Sequence, residues 1–323
     1  VTEIAFYCAS SELYFPGAVG LVNSLRLHGH DEPIYVLDCG LTREHRELLA
    51  PEATIVSGAP ETPPYLLKTI APLRHPAEVM VLIDADIVVT RPLAPVIQAT
   101  ADRSVVAFKE NVDRFFGEWG PQLDLGPARP RPYVSSGLVV FAGDRGAELL
   151  ALWDDRQSRV DFDRSWFARN DPDYPFRFID QDVLNAILCT VAEPGEVAVL
   201  DTRLAPHQPY RGLRIVDEAT LRCAYRDGIE PFVLHQYLEK PWIEPIYHGP
   251  YSRLLSRLWL GPDVAVPFPE HEVPLRMRNG LRARLHRKRV DFQDLARWYV
   301  RDVIPEWVAA RRGVTRERTG PQT

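Results

Sequence analysis

Two carboxylates, Asp84 and Asp86, interrupt the apolar stretch Val79-Met80-Val81-Leu82-Ile83 and Ile87-Val88-Val89. Removing water from an ion is costly, so acids at such a position need a compensating partner. Alternate residues of an extended segment point the same way, so the two carboxylates can face one point. Paired oxygen ligands of this kind suit a hard divalent cation. Taken alone, Asp84-Ala85-Asp86 reads rather as a turn cap at a strand end with the second acid exposed. Other residues of chemical interest lie far away in sequence. Asp180 and Gln181 open the segment Ile179-Asp180-Gln181-Asp182-Val183-Leu184-Asn185, where an acid either caps a helix or acts on a ligand. His235 follows the apolar run Phe232-Val233-Leu234, as a structural histidine or as a ligand. Lys240 precedes Pro241-Trp242, a pair that stiffens and anchors the loop presenting it.

Elements that could carry these groups can be read in order. Ile4 to Cys8 is a predicted first strand, followed by the small-residue loop Ala9-Ser10-Ser11-Glu12 and a helix over Ala18 to Leu25. Strand, small-residue loop and helix is how α/β proteins offer backbone N–H groups to a nucleotide. Strands follow at 33–37 and 53–56, a helix at 42–49, and a short helix over Tyr65 to Leu73 that carries Lys68. The run from Val79 to Ile83 reads as a strand buried on both faces, with Asp84 and Asp86 at its carboxyl end. Alternating strands and helices predict an α/β fold with a mostly parallel sheet, whose ligands bind beyond the carboxyl ends of the strands. Residues 109–132 are irregular and aromatic, and Phe115, Phe116 and Trp119 there either pack on the domain or form a lid or sugar-stacking platform. Residues 161–178 read as a surface excursion.

The 323 residues, 46% hydrophobic and 25% charged, suit a globular protein with a sizeable core and exclude a disordered chain. A net charge of −6 gives no global case for nucleic acid as a partner. Cys8, Cys39, Cys189 and Cys223 show no C-x-x-C spacing and read as buried thiols in a reducing compartment. With no leader-like or membrane-spanning apolar stretch, the expected location is the cytoplasm. The C-terminal region differs in character. Seven basic residues between Arg276 and Arg289 precede Phe292, Leu295, Tyr299, Val303 and Trp307 at helical spacing. A basic amphipathic helix of this composition suits the surface of an anionic membrane, or it packs its apolar stripe on the domain. The expected division is a catalytic domain over 1–260 and a basic helical extension over 261–323.

Taken together and in order, Ala9-Ser10-Ser11, Val81-Leu82-Ile83-Asp84-Ala85-Asp86, Val134-Ser135-Ser136-Gly137, Asp180-Gln181 through Asn185, and His235 with Lys240-Pro241-Trp242 resemble the motifs of the retaining glycosyltransferases of family 8. The resemblance covers roughly residues 2–250. It implies a GT-A fold, a Rossmann-like nucleotide-sugar-binding architecture, and hexose transfer from a UDP-sugar with Mn2+ or Mg2+. Asp84 and Asp86 match the family's D-x-D, which holds the metal on the diphosphate around Ala85. His235 matches the third metal ligand, and Lys240 the lysine that contacts the diphosphate. Lys68 looks like the donor-site lysine, and Ala9 and Ser10 occupy the loop that touches uridine. Asp180 and Gln181 match the segment near the anomeric carbon. In this chain Ser135 replaces the family's usual Asn, and the loop between His235 and Lys240 is one residue shorter and lacks its glycine.

The implied function is a metal-dependent retaining transfer of galactose or glucose to a glycan, glycolipid or other membrane-proximal acceptor, at the inner face of the cell membrane. Two other readings are a non-catalytic membrane-associated module that binds nucleotide-sugars or glycans, and a sugar nucleotidyltransferase. The second of these lacks its glycine-rich, lysine-containing loop at Ala9 to Phe15.

Overall fold

The computed structural model describes residues 3–60, 62–243 and 249–278, with 280–282, 284, 285, 288, 289 and 292. Residues Val1–Pro269 form one compact unit and Glu270–Thr323 a second. The strands of the first unit are β1 (Ile4–Ser10), β2 (Ile34–Asp38), β3 (Thr54–Ser57), β4 (Val79–Ile83), β5 (Ile87–Val89), β6 (Val105–Lys109), β7 (Val134–Ala142), β8 (Val197–Leu200), β9 (Leu213–Asp217), β10 (Arg222–Tyr225) and β11 (Val233–His235). Its helices are α1 (Phe15–Leu27), α2 (Arg43–Leu49), α3 (Ile70–Arg74), α4 (Ala94–Gln98), α5 (Trp119–Gln122), α6 (Gly143–Gln157), α7 (Ile179–Thr190) and α8 (Gly249–Leu260).

Seven strands make the main sheet in the order β3-β2-β1-β4-β7-β6-β8. All its neighbours pair in parallel except β7, which runs against both β4 and β6. The sheet is therefore mostly parallel, as the alternation of strands and helices predicts. The five residues of β4 are all buried, which explains its unbroken run of Val, Met, Leu and Ile.

The strand that starts at Val79 ends at Ile83, with the two acids just beyond its carboxyl end as expected, and the apolar residues after them form a second strand. The chain turns at Asp84-Ala85-Asp86; β4 stays in the main sheet, whereas β5 leaves it and pairs antiparallel with β11. Two carboxylates in mid-strand would lie in a dry sheet, whereas at a corner they turn toward an open cavity. The corner has room because Gly17 of α1 lies under it. A Cβ on Gly17 would come within 2.5 Å of the Ala85 carbonyl oxygen. The β5–β11 register places His235 opposite Ile87, and Gln236 N donates to Asp86 O at 3.1 Å. Backbone pairing alone thus brings the histidine to the acids across a large sequence separation.

The segment from Tyr65 to Leu73 is not a continuous helix. A single 3-10 turn at Pro64–Leu66 and the short helix α3 leave Lys68 on the turn between them. All four cysteines are free and buried, as expected. No helix among the described residues is long and apolar enough to cross a membrane. The expected amphipathic helix from Phe292 to Trp307 lies, apart from Phe292, outside the described residues.

Trp119 is fully buried, and its indole N–H donates to Pro175 O at 2.8 Å. It forms part of the core rather than a sugar platform. Trp119→Ala should therefore destabilise the protein by about 3–5 kcal/mol in denaturant unfolding. An unchanged unfolding midpoint would show that Trp119 is not a packing residue.

Candidate functional site

Asp84, Asp86 and His235 are the only group of three or more acidic, His or Cys residues among the described residues arranged to hold a metal ion, with one ligand atom from each within 4.8 Å of the others. Their partners explain the arrangement. Asp84 gives Oδ1 to Lys68 Nζ at 2.8 Å and turns Oδ2 toward His235 Nε2, 3.8 Å away. Asp86 gives Oδ2 to Lys240 Nζ and turns Oδ1 toward the same nitrogen, 3.2 Å away. Each aspartate therefore spends one oxygen on a lysine and aims the other at a common point. Asp86 Oδ1 is buried and, although close to His235, accepts no hydrogen bond of good geometry. Neighbouring ligands of an octahedral ion at about 2.1 Å are separated by roughly 3 Å, so the gap between Asp86 Oδ1 and His235 Nε2 fits shared coordination. The donor set, two carboxylate oxygens and one imidazole nitrogen, suits Mn2+ or Mg2+, and these three residues can hold such an ion.

The site's charges push in opposite directions. Burial raises the Asp84 carboxyl, and the Lys68 ammonium offsets only part of this, so Asp84 titrates above the ordinary aspartate range. Burial also acts on Asp86, but Lys240 and His235 outweigh it and hold that carboxyl far down. Lys68, itself buried, is pushed up because Asp180 and Asp84 together exceed its desolvation. Lys68 bridges the two acids, with Asp180 Oδ2 at 2.9 Å. Three carboxylates thus face two ammonium groups, leaving negative charge for a cation to neutralise.

Asp180 and Gln181 lie in the first turn of α7. Asp180 is not the helix cap; its Oδ2 accepts from Ser136 Oγ at 2.7 Å. Gln181 Oε1 accepts from Ser136 N at 3.1 Å. The turn is held under backbone strain. Ile179 is β-branched, buried and has φ 25°, a conformation that persists only when its surroundings enforce it. Asp182 supplies that enforcement by accepting from Phe178 N at 2.7 Å, from Tyr133 Oη at 2.7 Å, and from Arg114 through both carboxylate oxygens at 3.1 Å.

These groups open on a cavity of about 360 Å³, within the range of small-ligand sites. Ala9, Lys68, Asp84, Ala85, Asp86, Asp180, Gln181 and His235 all line it. Two expected site residues do not. Ser10 is fully buried, and its Oγ donates to Ser11 O at 3.3 Å. Lys240 is 5% exposed and turned inward, ion-paired with Asp86 and hydrogen-bonded to Gln236 O. Its loop is anchored as Pro241-Trp242 suggested, with Trp242 Nε1 donating to Leu13 O at 2.8 Å.

Sequence reasoning missed several lining residues. Ser136, which entered only as part of the Val134-Ser135-Ser136-Gly137 piece and with no role of its own, joins Lys68, Asp180 and Gln181. A Cβ on Gly137 would come within 2.5 Å of the His235 ring, so the glycine makes room for that ligand. Tyr14, Tyr65, Glu110, Trp166, Phe167, Phe178, His207 and Tyr237 also line the cavity and carry no motif.

No family model and no curated protein matches the chain. Among solved structures, the fold is similar to that of the galactosyltransferase LgtC in complex with donor and acceptor sugar analogs. The TM-score is 0.51 at 16% identity, over 83% of this chain and 98% of that one. The fold is GT-A-like. An active-site mutant of LgtC matches with the same values. The bifunctional glycosyltransferase WbbM in its apo form matches with TM-score 0.51 and 16% identity over 79% of this chain. The chain spans 50% of the WbbM chain. At this identity the likeness is one of fold, and it agrees with the GT-A expectation.

Glu110 and His207 form an ion pair in the cavity wall, with His207 Nε2 2.7 Å from Glu110 Oε1. Burial pushes the Glu110 carboxyl up, but His207 outweighs it and holds it low. Burial pushes His207 down, but Glu110 outweighs it and holds it high. A depressed Glu stabilises above its unfolded pKa of about 4.3, and a raised His stabilises below its unfolded pKa of about 6.5. The pair's contribution is thus greatest between these values. It fades as acid protonates Glu110 or as base deprotonates His207. The Tm difference between wild type and Glu110→Gln should be larger at pH 5.5 than at pH 9; a gap independent of pH would refute the pairing.

Proposed function

We propose that this chain is a metal-dependent retaining glycosyltransferase. It moves a hexose, galactose or glucose, from a UDP-sugar to a glycan, glycolipid or other membrane-proximal acceptor. The observation that carries this reading is the division of labour at the corner: each aspartate holds a lysine with one oxygen and offers the other beside His235, on the wall of a cavity that also contains Asp180. The ordered resemblance to family 8 and the GT-A-like fold support it.

In this reading Asp84, Asp86 and His235 hold Mn2+ or Mg2+, which when bound supplies Lewis-acid neutralisation of the leaving diphosphate. Lys68 adds fixed positive charge between the two acids. Lys240 fixes the orientation of Asp86 and adds positive charge on its other side. Ala9 contributes backbone to the nucleotide wall, with Tyr14 beside it. Asp180 and Gln181, fixed through Ser136 and the strained turn, orient the donor sugar. The bond from the anomeric carbon to the diphosphate oxygen breaks, and a bond to the acceptor oxygen forms on the same face. The acceptor's hydroxyl proton leaves with the diphosphate. Gln181 is a weak nucleophile and Asp180 is occupied by Lys68 and Ser136, which favours same-face attack over a glycosyl-enzyme.

Thermal unfolding with UDP, GDP and dTDP, each with and without Mn2+, tests the donor reading. UDP should raise Tm only with Mn2+, and Asp86→Asn should abolish the rise. Equal responses to all three nucleotides, or a UDP response indifferent to Mn2+, would contradict it. UDP-sugar hydrolysis by wild type separates an enzyme from a binding module.

We also propose that the basic C-terminal extension adsorbs the enzyme to an anionic membrane surface on the cytoplasmic side. The crowding of arginines over 276–289, followed by the apolar spacing from Phe292 to Trp307, supports this. Cosedimentation with phosphatidylserine vesicles should be lost on deleting 275–323 and should weaken as salt rises. Vesicle binding unaffected by the deletion would rule the extension out.

A further inference from the structure

Two walls of the cavity take no part in the donor chemistry described above. The first centres on Glu110. Its Oε1 is occupied twice, by His207 Nε2 and by Asn111 N, each at 2.7 Å. No donor among the described residues reaches Oε2, and Glu110 lines the cavity. His207 Nδ1 lies 3.1 Å from Gln208 O, so both ring nitrogens face oxygen acceptors, as in an imidazolium. The Asn111 side-chain amide lies 2.9 Å from His207 Nε2, where its oxygen rather than its nitrogen suits such a ring. This wall is tied to the corner: His207 forms a parallel bridge with His235, and the Tyr237 ring meets His207 edge-on at 4.7 Å.

The second wall is aromatic. Phe167 stacks on Tyr65 with ring centroids 4.1 Å apart, and Trp166 lies beside them. Trp166 is 43% exposed and Phe167 48%, although both are large apolar groups. The Arg177 guanidinium covers one ring, 4.8 Å from the Trp166 centroid. Aromatics exposed at the edge of a cavity, rather than packed like Trp119, mark a binding surface.

We propose that Glu110, held by His207, and the Tyr65–Trp166–Phe167 wall form the acceptor subsite, and that its occupant is an uncharged pyranoside. This rests on the glycosyltransferase reading. The chemistry of the two walls selects the class. A pyranose presents a hydroxyl rim and an apolar C–H face. An ionised carboxylate only accepts hydrogen bonds, so the free Oε2 takes hydroxyl donors. Flat aromatic rings offer area to the C–H face. Phosphate oxygens, like Oε2 itself, are hydrogen-bond acceptors with no proton to give it, which disfavours sugar phosphates and polyprenyl phosphates as acceptors at this wall. A lipid-borne acceptor therefore has to present a neutral sugar to this pocket.

Saturation-transfer NMR on the full chain with UDP and diamagnetic Mg2+ tests this. The probes are methyl glucoside, methyl galactoside, methyl mannoside and methyl N-acetylglucosaminide, alongside glucose, galactose, mannose and N-acetylglucosamine 6-phosphates. At least one neutral glycoside should show saturation of its ring C–H protons, at least fivefold above its phosphate counterpart. Glu110→Gln and, separately, Phe167→Ala should each reduce that signal at least fivefold. The Mn2+-dependent UDP shift in Tm, recorded separately on each protein, reports whether the donor site is intact. Phosphates binding as well as or better than the glycosides, no glycoside binding, or glycoside binding indifferent to both variants would overturn the subsite. Glycoside binding lost in the variants, but with no UDP shift in wild type, would leave the subsite standing and overturn the donor reading instead.

Discussion

Two lysines hold the site together. Lys68 and Lys240 are both nearly excluded from solvent, yet each is ion-paired, the first to Asp84 and Asp180, the second to Asp86. Without these ammonium groups, three carboxylates in a partly dry corner would repel one another and protonate. Without the carboxylates, the lysines would be stripped of water uncompensated. Breaking one partner of a buried pair generally costs several kcal/mol, because the other is left charged and alone. The corner is therefore fixed by electrostatic necessity, and this necessity leaves Asp84 Oδ2 and Asp86 Oδ1 aimed beside His235. The remaining negative charge suits the corner to a cation.

The backbone sets the same geometry independently. The chain leaves the main sheet after Ile83 and enters the β5–β11 pair at Ile87, and the antiparallel register brings His235 to the turn. Gly17 and Gly137 allow the close approach that side chains would block, one beneath Ala85 and the other against the His235 ring. On the opposite wall, the Asp182–Arg114–Tyr133 cluster holds Ile179 in a costly conformation so that Asp180 and Gln181 face the cavity. Strain there and charge balance at the corner are the two means by which a stable fold keeps reactive groups pointed at one space.

Much of this was legible in the sequence. Unbroken apolar runs gave the buried strands, and Asp84 and Asp86 were conspicuous because acids do not belong inside such a run. Pro241-Trp242 marked an anchored loop. The change of sheet after Asp84-Ala85-Asp86 was not legible, because it depends on the pairing of β5 with a strand far along the chain. The inward turn of Lys240 was hidden for the same reason, since its partner is fixed only by the folded corner. Glu110, His207 and the Trp166–Phe167 wall carry no periodicity or spacing that separates them from surface residues. For Trp119 the sequence left two readings open, packing or a sugar platform, and its burial selects the first.

If Asp84, Asp86 and His235 hold a divalent metal on a UDP diphosphate, manganese soaked in with UDP lies at these three side chains. The most direct measurement is a crystal structure with UDP and Mn2+, with data collected for the anomalous scattering of manganese. The expected result is an anomalous peak between Asp84 Oδ2, Asp86 Oδ1 and His235 Nε2, beside the UDP diphosphate. UDP bound with no manganese at these three atoms, or manganese held elsewhere in the cavity, would contradict it.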